Sequence, residues 1–305
     1  MKKSNYLIVS LIIFSLAFSF SCKKDRIQQN TNEYDDINNY FNQKKQEEQI
    51  FVIDSGGSDP IIGNQGTMIW LSKECLQTPD GNSITWPFVV KLVELYKPKD
   101  MIYYQMPSVS SLGILETDGE IRLRAFKDSI ELELKPFPCH CIVHMPNSNP
   151  KDYMKVFYGF QNNQKPDWTT NLSQFGISSQ INPAFVAMSD TGYIGQIARL
   201  GWIGCDSLAG TTSGVKLNFV SSTDILDNVG IFIYFPNTRT VMQVYNQEST
   251  VFPSGSSVKL ICIGIQSDGT LYKYFSAFSV SSNTEVEIEM EETTDAELTL
   301  LLNSL

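Results

Sequence analysis

Both histidines of this 305-residue chain fall in one stretch, Cys139-His140-Cys141-Ile142-Val143-His144. Any mechanism in which imidazole activates a serine or a cysteine must therefore use one of them. Two thiols and two imidazoles this close together are also a soft-metal ligand set of the kind that holds zinc. On a strand, Cys139, Cys141 and Val143 project to one face, and His140 and His144 to the other. A four-ligand site then needs a bend, which Pro136 and Pro138 can supply. Without one, the stretch is a strand with two buried thiols and two partly exposed imidazoles, holding neither metal nor cofactor. Cys139 and Cys141 are poor partners for each other, because same-face strand neighbours stand roughly 6.6 Å apart and point in parallel.

Other chemistry is thinly signalled. Glu116, Asp118 and Glu120 cluster at Asp118-Gly119, which reads as a hairpin turn. Paired carboxylates can hydrolyse glycosides, but acids at a turn are ordinarily solvated. Trp70, Trp86 and Trp202 lie in apolar strand-like stretches and read as core. Trp168, in Lys165-Pro166-Asp167-Trp168-Thr169, reads as the exposed aromatic that could stack on a sugar. The chain lacks His-Glu-x-x-His, Gly-x-Ser-x-Gly, a phosphate-binding Gly-Lys-Ser/Thr loop and a dinucleotide fingerprint. No catalytic residue is assigned.

The N-terminus indicates an address. Lys2 and Lys3 precede an apolar run from Leu7 to Phe20, too short to span a bilayer. Ser19-Phe20-Ser21-Cys22 follows, and it resembles a bacterial lipoprotein signal with Cys22 as the lipidated residue. The implied location is outside the cytoplasm, anchored by lipid to the outer membrane and facing the periplasm or the cell surface. A formal charge of −10 without a basic patch argues against a nucleic-acid partner. Beyond Cys22 five cysteines remain, an odd number, so at least one is unpaired within the monomer. A chain this long can bury a core without disulfide staples.

These elements divide the chain into a signal peptide over 1–21 and a flexible polar tether over 22–50, with a loose helix within 33–48. A tether of this length spans roughly 30 Å. The remainder is mainly β, in two β-sandwich-like domains. The first covers 51–146, an irregular β connection covers 147–200, and the second covers 201–305. Strands are expected over 66–72 and 83–95 and at Ile102-Tyr103-Tyr104. Asp190-Thr191-Gly192 and Ser267-Asp268-Gly269 mark turns. Glu285, Glu287, Glu289 and Glu291 form the acidic face of a late strand. Thr294 and Glu297 then form a capping box that opens a short C-terminal helix with a stripe of Leu298, Leu301 and Leu302.

Gly66-Thr67-x-Ile69, Asp80-Gly81 and Val90-x-Leu92-x-Glu94-Leu95-Tyr96-x-Pro98-x-Asp100-Met101 resemble an uncharacterised group of cell-surface lipoproteins of Bacteroidetes-type bacteria. Gly201-Trp202-Ile203-Gly204-Cys205-Asp206 resembles a Gly-Trp-Ile-Asn-Cys-Asp-Arg-Phe motif of the same group, with Gly204, Ser207 and Leu208 in place of its Asn, Arg and Phe. The first stretch is also distantly similar to the β-sandwich module of ankyrins and netrin receptors. Asp128-Ser129-Ile130 and Asp206-Ser207-Leu208 resemble the three-residue O-glycosylation acceptor of such bacteria, at Ser129 and Ser207. The resemblance implies a surface location and no activity. The expectation is a non-enzymatic protein that binds or scaffolds a protein or glycan partner. The alternatives are a hydrolase or metal-dependent enzyme using His140 and His144, and a glycan-binding module using Trp168.

Overall fold

The strand Phe88–Leu95 sends Phe88, Val90 and Leu92 into one core and Val93 and Leu95 into another. A strand covered on both sides is apolar on both faces, which is why its sequence does not alternate cleanly. It lies in an eight-stranded sheet whose antiparallel path runs Gln49–Ile53, Phe88–Leu95, Gly113–Lys127, Gly201–Leu208, Lys155–Asn162 and Lys165–Thr169. One face packs on a five-stranded sheet of Val186–Met188, Gly192–Ile197, Cys141–Pro146, Met68–Trp70 and Ile61–Ile62. Ile121, Leu123, Val156 and Ile203 of the first sheet meet Ile69, Val143, Met145 and Tyr193 of the second, which is sandwich packing. The structure, a computed structural model, describes residues 31–178, 184–209 and 213–305.

The opposite face of the large sheet is also covered. The helices Asn38–Lys44, Pro98–Tyr104 and Asp295–Asn303 lie on it, together with a second five-stranded sheet. That sheet runs Thr240–Val244, Gly230–Phe235, Ser256–Ile265, Leu271–Val280 and Glu291–Thr293. Phe232, Tyr234, Ile261 and Ile263 enter this shared core. Their neighbours Ile231, Ile233, Leu260 and Cys262 enter a third core, with Leu217 from the parallel pair Leu217–Val220 and Thr284–Glu287. Period-2 alternation thus places one strand between two cores. The fold is mainly β and ends in a helix.

The turns at Asp190-Thr191-Gly192 and Asp268-Gly269 join antiparallel neighbours, as their composition indicates. The C-terminal helix opens with the expected reciprocal cap between Thr294 and Glu297, and Leu298 and Leu302 are buried.

Other expectations meet a different local structure. Residues 31–50 are not a tether. Ile37, Tyr40 and Phe41, spaced i, i+3, i+4, are buried against the shared core, and Gln49 begins the sheet's edge strand. Three aromatic or apolar anchors at helical spacing are enough to dock an otherwise polar segment. Ile102-Tyr103-Tyr104 is the end of a helix and not a strand. Pro98 suits its first turn, and Gln105 closes it in the left-handed conformation, φ 50°. Asp118-Gly119 is not a hairpin turn, because Gly113–Lys127 is one continuous strand. Gly119 serves close approach instead, since a side chain there would collide with the Tyr96 ring. The acidic run breaks into Thr284–Glu287 and Glu291–Thr293, with Ile288 between them buried in the third core. The divisions drawn at 146/147 and 200/201 cut through the eight-stranded sheet, where Lys155–Asn162 and Gly201–Leu208 lie beside each other.

Candidate functional site

The His/Cys stretch does not assemble a site. Cys139 forms a disulfide with Cys75 across 64 residues of sequence, which takes it out of any ligand set and supplies a staple that chain length had argued against. Cys141 begins the strand Cys141–Pro146 and points into the sandwich core, where burial pushes its thiol up. His140 lies outside the strand, with Nδ1 3.0 Å from the Pro138 carbonyl. His144 is buried on the opposite face from Cys141, and burial lowers its proton affinity. Among the described residues no three His, Cys, Asp or Glu side chains converge in a way that could hold a metal ion. Cys141, Cys205 and Cys262 are free and buried, which accounts for the odd count.

One aromatic assignment reverses. Trp168, expected at the surface, is 1% exposed, and its Nε1 donates to the Pro107 carbonyl at 2.7 Å. It sits on the strand Lys165–Thr169 opposite Gly159, whose missing side chain leaves space for the indole. Trp86 and Trp202 pack half-buried against the cores, as their stretches indicate, and Trp70 is half-buried.

The carboxylates separate by environment. Asp118 is an ionic hub that accepts from Lys151 at 3.1 Å, from Arg239 at 3.5 Å and from the Tyr193 hydroxyl. Glu116 pairs with the same Lys151 at 2.9 Å. Glu120 is fully buried; Oε1 accepts from the Ser108 hydroxyl at 2.9 Å and Oε2 has no partner. Asp206, on the neighbouring strand, is also fully buried with both oxygens unpartnered. Burial first, and then Asp206, pushes Glu120 far above the carboxylate range. Burial likewise pushes Asp206 up to about 8; the nearby Thr117 hydroxyl offsets part of this without reaching hydrogen-bond geometry, and Asp118 adds to it. Two acids sealed in a core cannot reach a glycosidic bond, so they do not form a hydrolytic pair.

A cleft does form where sequence reasoning placed no site. It has a volume of about 910 Å³ and lies beside the Cys75–Cys139 disulfide. One wall comes from Leu132, Leu134 and Phe137, held by the pairing of Glu133–Leu134 with Leu76–Gln77. Phe175, Gly176 and Ile177 also line the cleft, at the end of the short turn Leu172–Phe175. Asn171 caps that turn by accepting from the Ser173 amide at 3.1 Å, and Gly176 closes it at φ 71°. Phe175 is braced edge-on by Phe160, ring centroids 5.9 Å apart. Ala198, Arg199 and Leu200 line the cleft too, with the charged Glu131, Glu133 and Lys135, and the Ala198 amide is tied to the Tyr158 hydroxyl at 3.1 Å.

The Arg199 guanidinium lies 3.8 Å from the Phe175 ring centroid. Its Nη1 is buried without a hydrogen-bond partner, and Arg199 forms no ion pair among the described residues. Burial lowers its proton affinity, while Tyr158 and Glu133 raise it. The visible trace in sequence is a lone cation in Ile197-Ala198-Arg199-Leu200, with nothing to show what would face it.

Ser129 is exposed in the turn between Lys127 and Ile130, whereas Ser207 is half-buried in a central strand of the sheet. Cys22 lies outside the described residues. No known protein family, curated protein or solved structure matches this chain.

Proposed function

We propose that this is an exported protein, held at the outer membrane by lipid on Cys22, that works by binding a ligand in the cleft beside the Cys75–Cys139 disulfide and not by catalysis. The observation that carries the binding reading is the cleft itself, apolar over most of its wall and lined by Arg199, which forms no ion pair among the described residues. Concave, mainly apolar sites with few placed polar groups are what small-molecule sites look like. Export is supported separately. A disulfide persists in oxidising compartments, and the Lys2-Lys3, apolar and Ser-Phe-Ser-Cys22 sequence has the form of a lipoprotein signal.

Two measurements test this reading. Cells expressing the full chain are labelled with radioactive palmitate; label is expected on the chain and lost in Cys22→Ala, and unchanged labelling of that variant overturns the anchor. The neutral apolar dye Nile red is expected to brighten on the full chain and not on Ile177→Trp, which fills the cleft. Equal brightening of both chains overturns the cleft as the binding site.

A further inference from the structure

Resting on the cleft reading above, we propose that the cleft selects amphipathic monocarboxylates, with Arg199 taking the carboxylate and the Leu134, Phe137, Phe175 and Leu200 side chains taking the apolar body. Three observations lead there.

First, Arg199 lines the cleft and forms no ion pair among the described residues, so a ligand carboxylate there supplies a charge-assisted partner that the fold does not. Lys135, the other cation on the lining, is already committed, donating to the Glu74 carbonyl at 2.7 Å.

Second, the guanidinium plane is fixed before any ligand arrives. Stacking on Phe175 at 3.8 Å, itself braced by Phe160, limits the rotamers that Arg199 must give up on binding. A planar fork held this way matches a planar carboxylate.

Third, the field around Arg199 limits the charge that the ligand carries. Glu131 and Glu133 also line the cleft. Glu131 is engaged by Arg124 at 3.7 Å, whereas Glu133 acts on Arg199 from beyond ion-pair distance. One guanidinium can balance one negative charge beside these acids. A phosphomonoester or a dicarboxylate would bring a second negative charge beside these two acids, with only Lys135, held by the Glu74 carbonyl, to meet it.

The test uses the full chain in lipid nanodiscs, with phenylbutyrate and its uncharged isostere phenylbutyramide as probes. Calorimetric titration is corrected against empty nanodiscs. Phenylbutyrate is expected to bind at least about tenfold more tightly than the amide, the size of one net charge-assisted hydrogen bond. Arg199→Gln is expected to bring the two probes to equal affinity, whereas Arg199→Lys, which keeps the charge, is expected to keep part of the preference. An unchanged urea-denaturation midpoint shows that the Arg199→Gln chain is folded. Equal affinity of the two probes, or an Arg199→Gln chain that still prefers the carboxylate, overturns the ligand class and leaves the cleft reading standing. Binding of neither probe, together with no dye response, overturns both.

Discussion

The Thr67 hydroxyl lies 2.7 Å from the Tyr96 phenol oxygen and joins two distant parts of the sequence. Beside it, Glu94 is fully buried and accepts from the Thr67 amide at 3.0 Å, the Gln65 amide at 2.9 Å and Gln49 Nε2 at 2.8 Å. Thr67, Glu94 and Tyr96 thus tie the Gly63–Thr67 loop to the sheet. Gly63 belongs to the same arrangement, since a Cβ there would come within 2.6 Å of Leu92 and 2.7 Å of Glu94.

Tyr96→Phe removes one buried hydrogen bond and little packing. The expected loss is about 0.5–1.5 kcal/mol of unfolding free energy, measured by urea denaturation. Thr67→Val in the Tyr96→Phe background should cost much less than it does alone, because the partner is already gone. Fully additive losses would show that the two oxygens are not coupled.

The disulfide closes a loop of 64 residues and borders the cleft. Replacing Cys75 and Cys139 by alanine is expected to lower stability by about 2–5 kcal/mol, because the unfolded chain regains loop freedom. The same variant should bind Nile red less well than the parent. An unchanged denaturation midpoint and dye signal would show that the crosslink neither restrains the unfolded chain nor supports the cleft wall.

Asp206 makes a prediction about pH. Its folded-state pKa, about 8, lies above the ordinary unfolded value near 4, so the folded state holds a proton that the unfolded state releases. The stability this contributes is fully present below about pH 4 and is lost as pH rises through about 8. Asp206→Asn keeps the shape without the titration. Relative to this variant, the parent is expected to lose about 3 kcal/mol or more between about pH 5 and pH 8. Comparing the two chains cancels the opposite contributions of Asp224 and Asp295, whose carboxyls are held below their ordinary values. Parallel stability curves for parent and variant would sink this account.

Trp168→Ala distinguishes a core residue from a recognition residue. It opens a cavity in the shared core and leaves the Pro107 carbonyl without its donor, so a loss of roughly 3–5 kcal/mol is expected in chemical denaturation. A surface platform for sugars would instead lose glycan binding at unchanged stability.

Strand and turn patterns were legible because they are local. Asp268-Gly269 can form a hairpin whatever surrounds it, and Thr294 and Glu297 cap a helix through bonds made within one turn. Phe88–Leu95 does not alternate cleanly because it is covered on both faces, so its strand character came from its β-rich composition. Asp118-Gly119 failed the same logic, since its glycine answers to the Tyr96 ring and not to a turn.

The sequence by itself determined the β-rich class, the principal turns, the C-terminal cap and the motif that resembles an export signal, since each depends on neighbours within a few positions. Tertiary structure decided the rest. It brought Cys75 to Cys139, sealed Trp168 and Asp206 inside, and set Arg199 on Phe175 with a donor left over. Burial, pairing and proton affinity depend on what the far chain places opposite a residue. Composition and spacing carry no record of that partner.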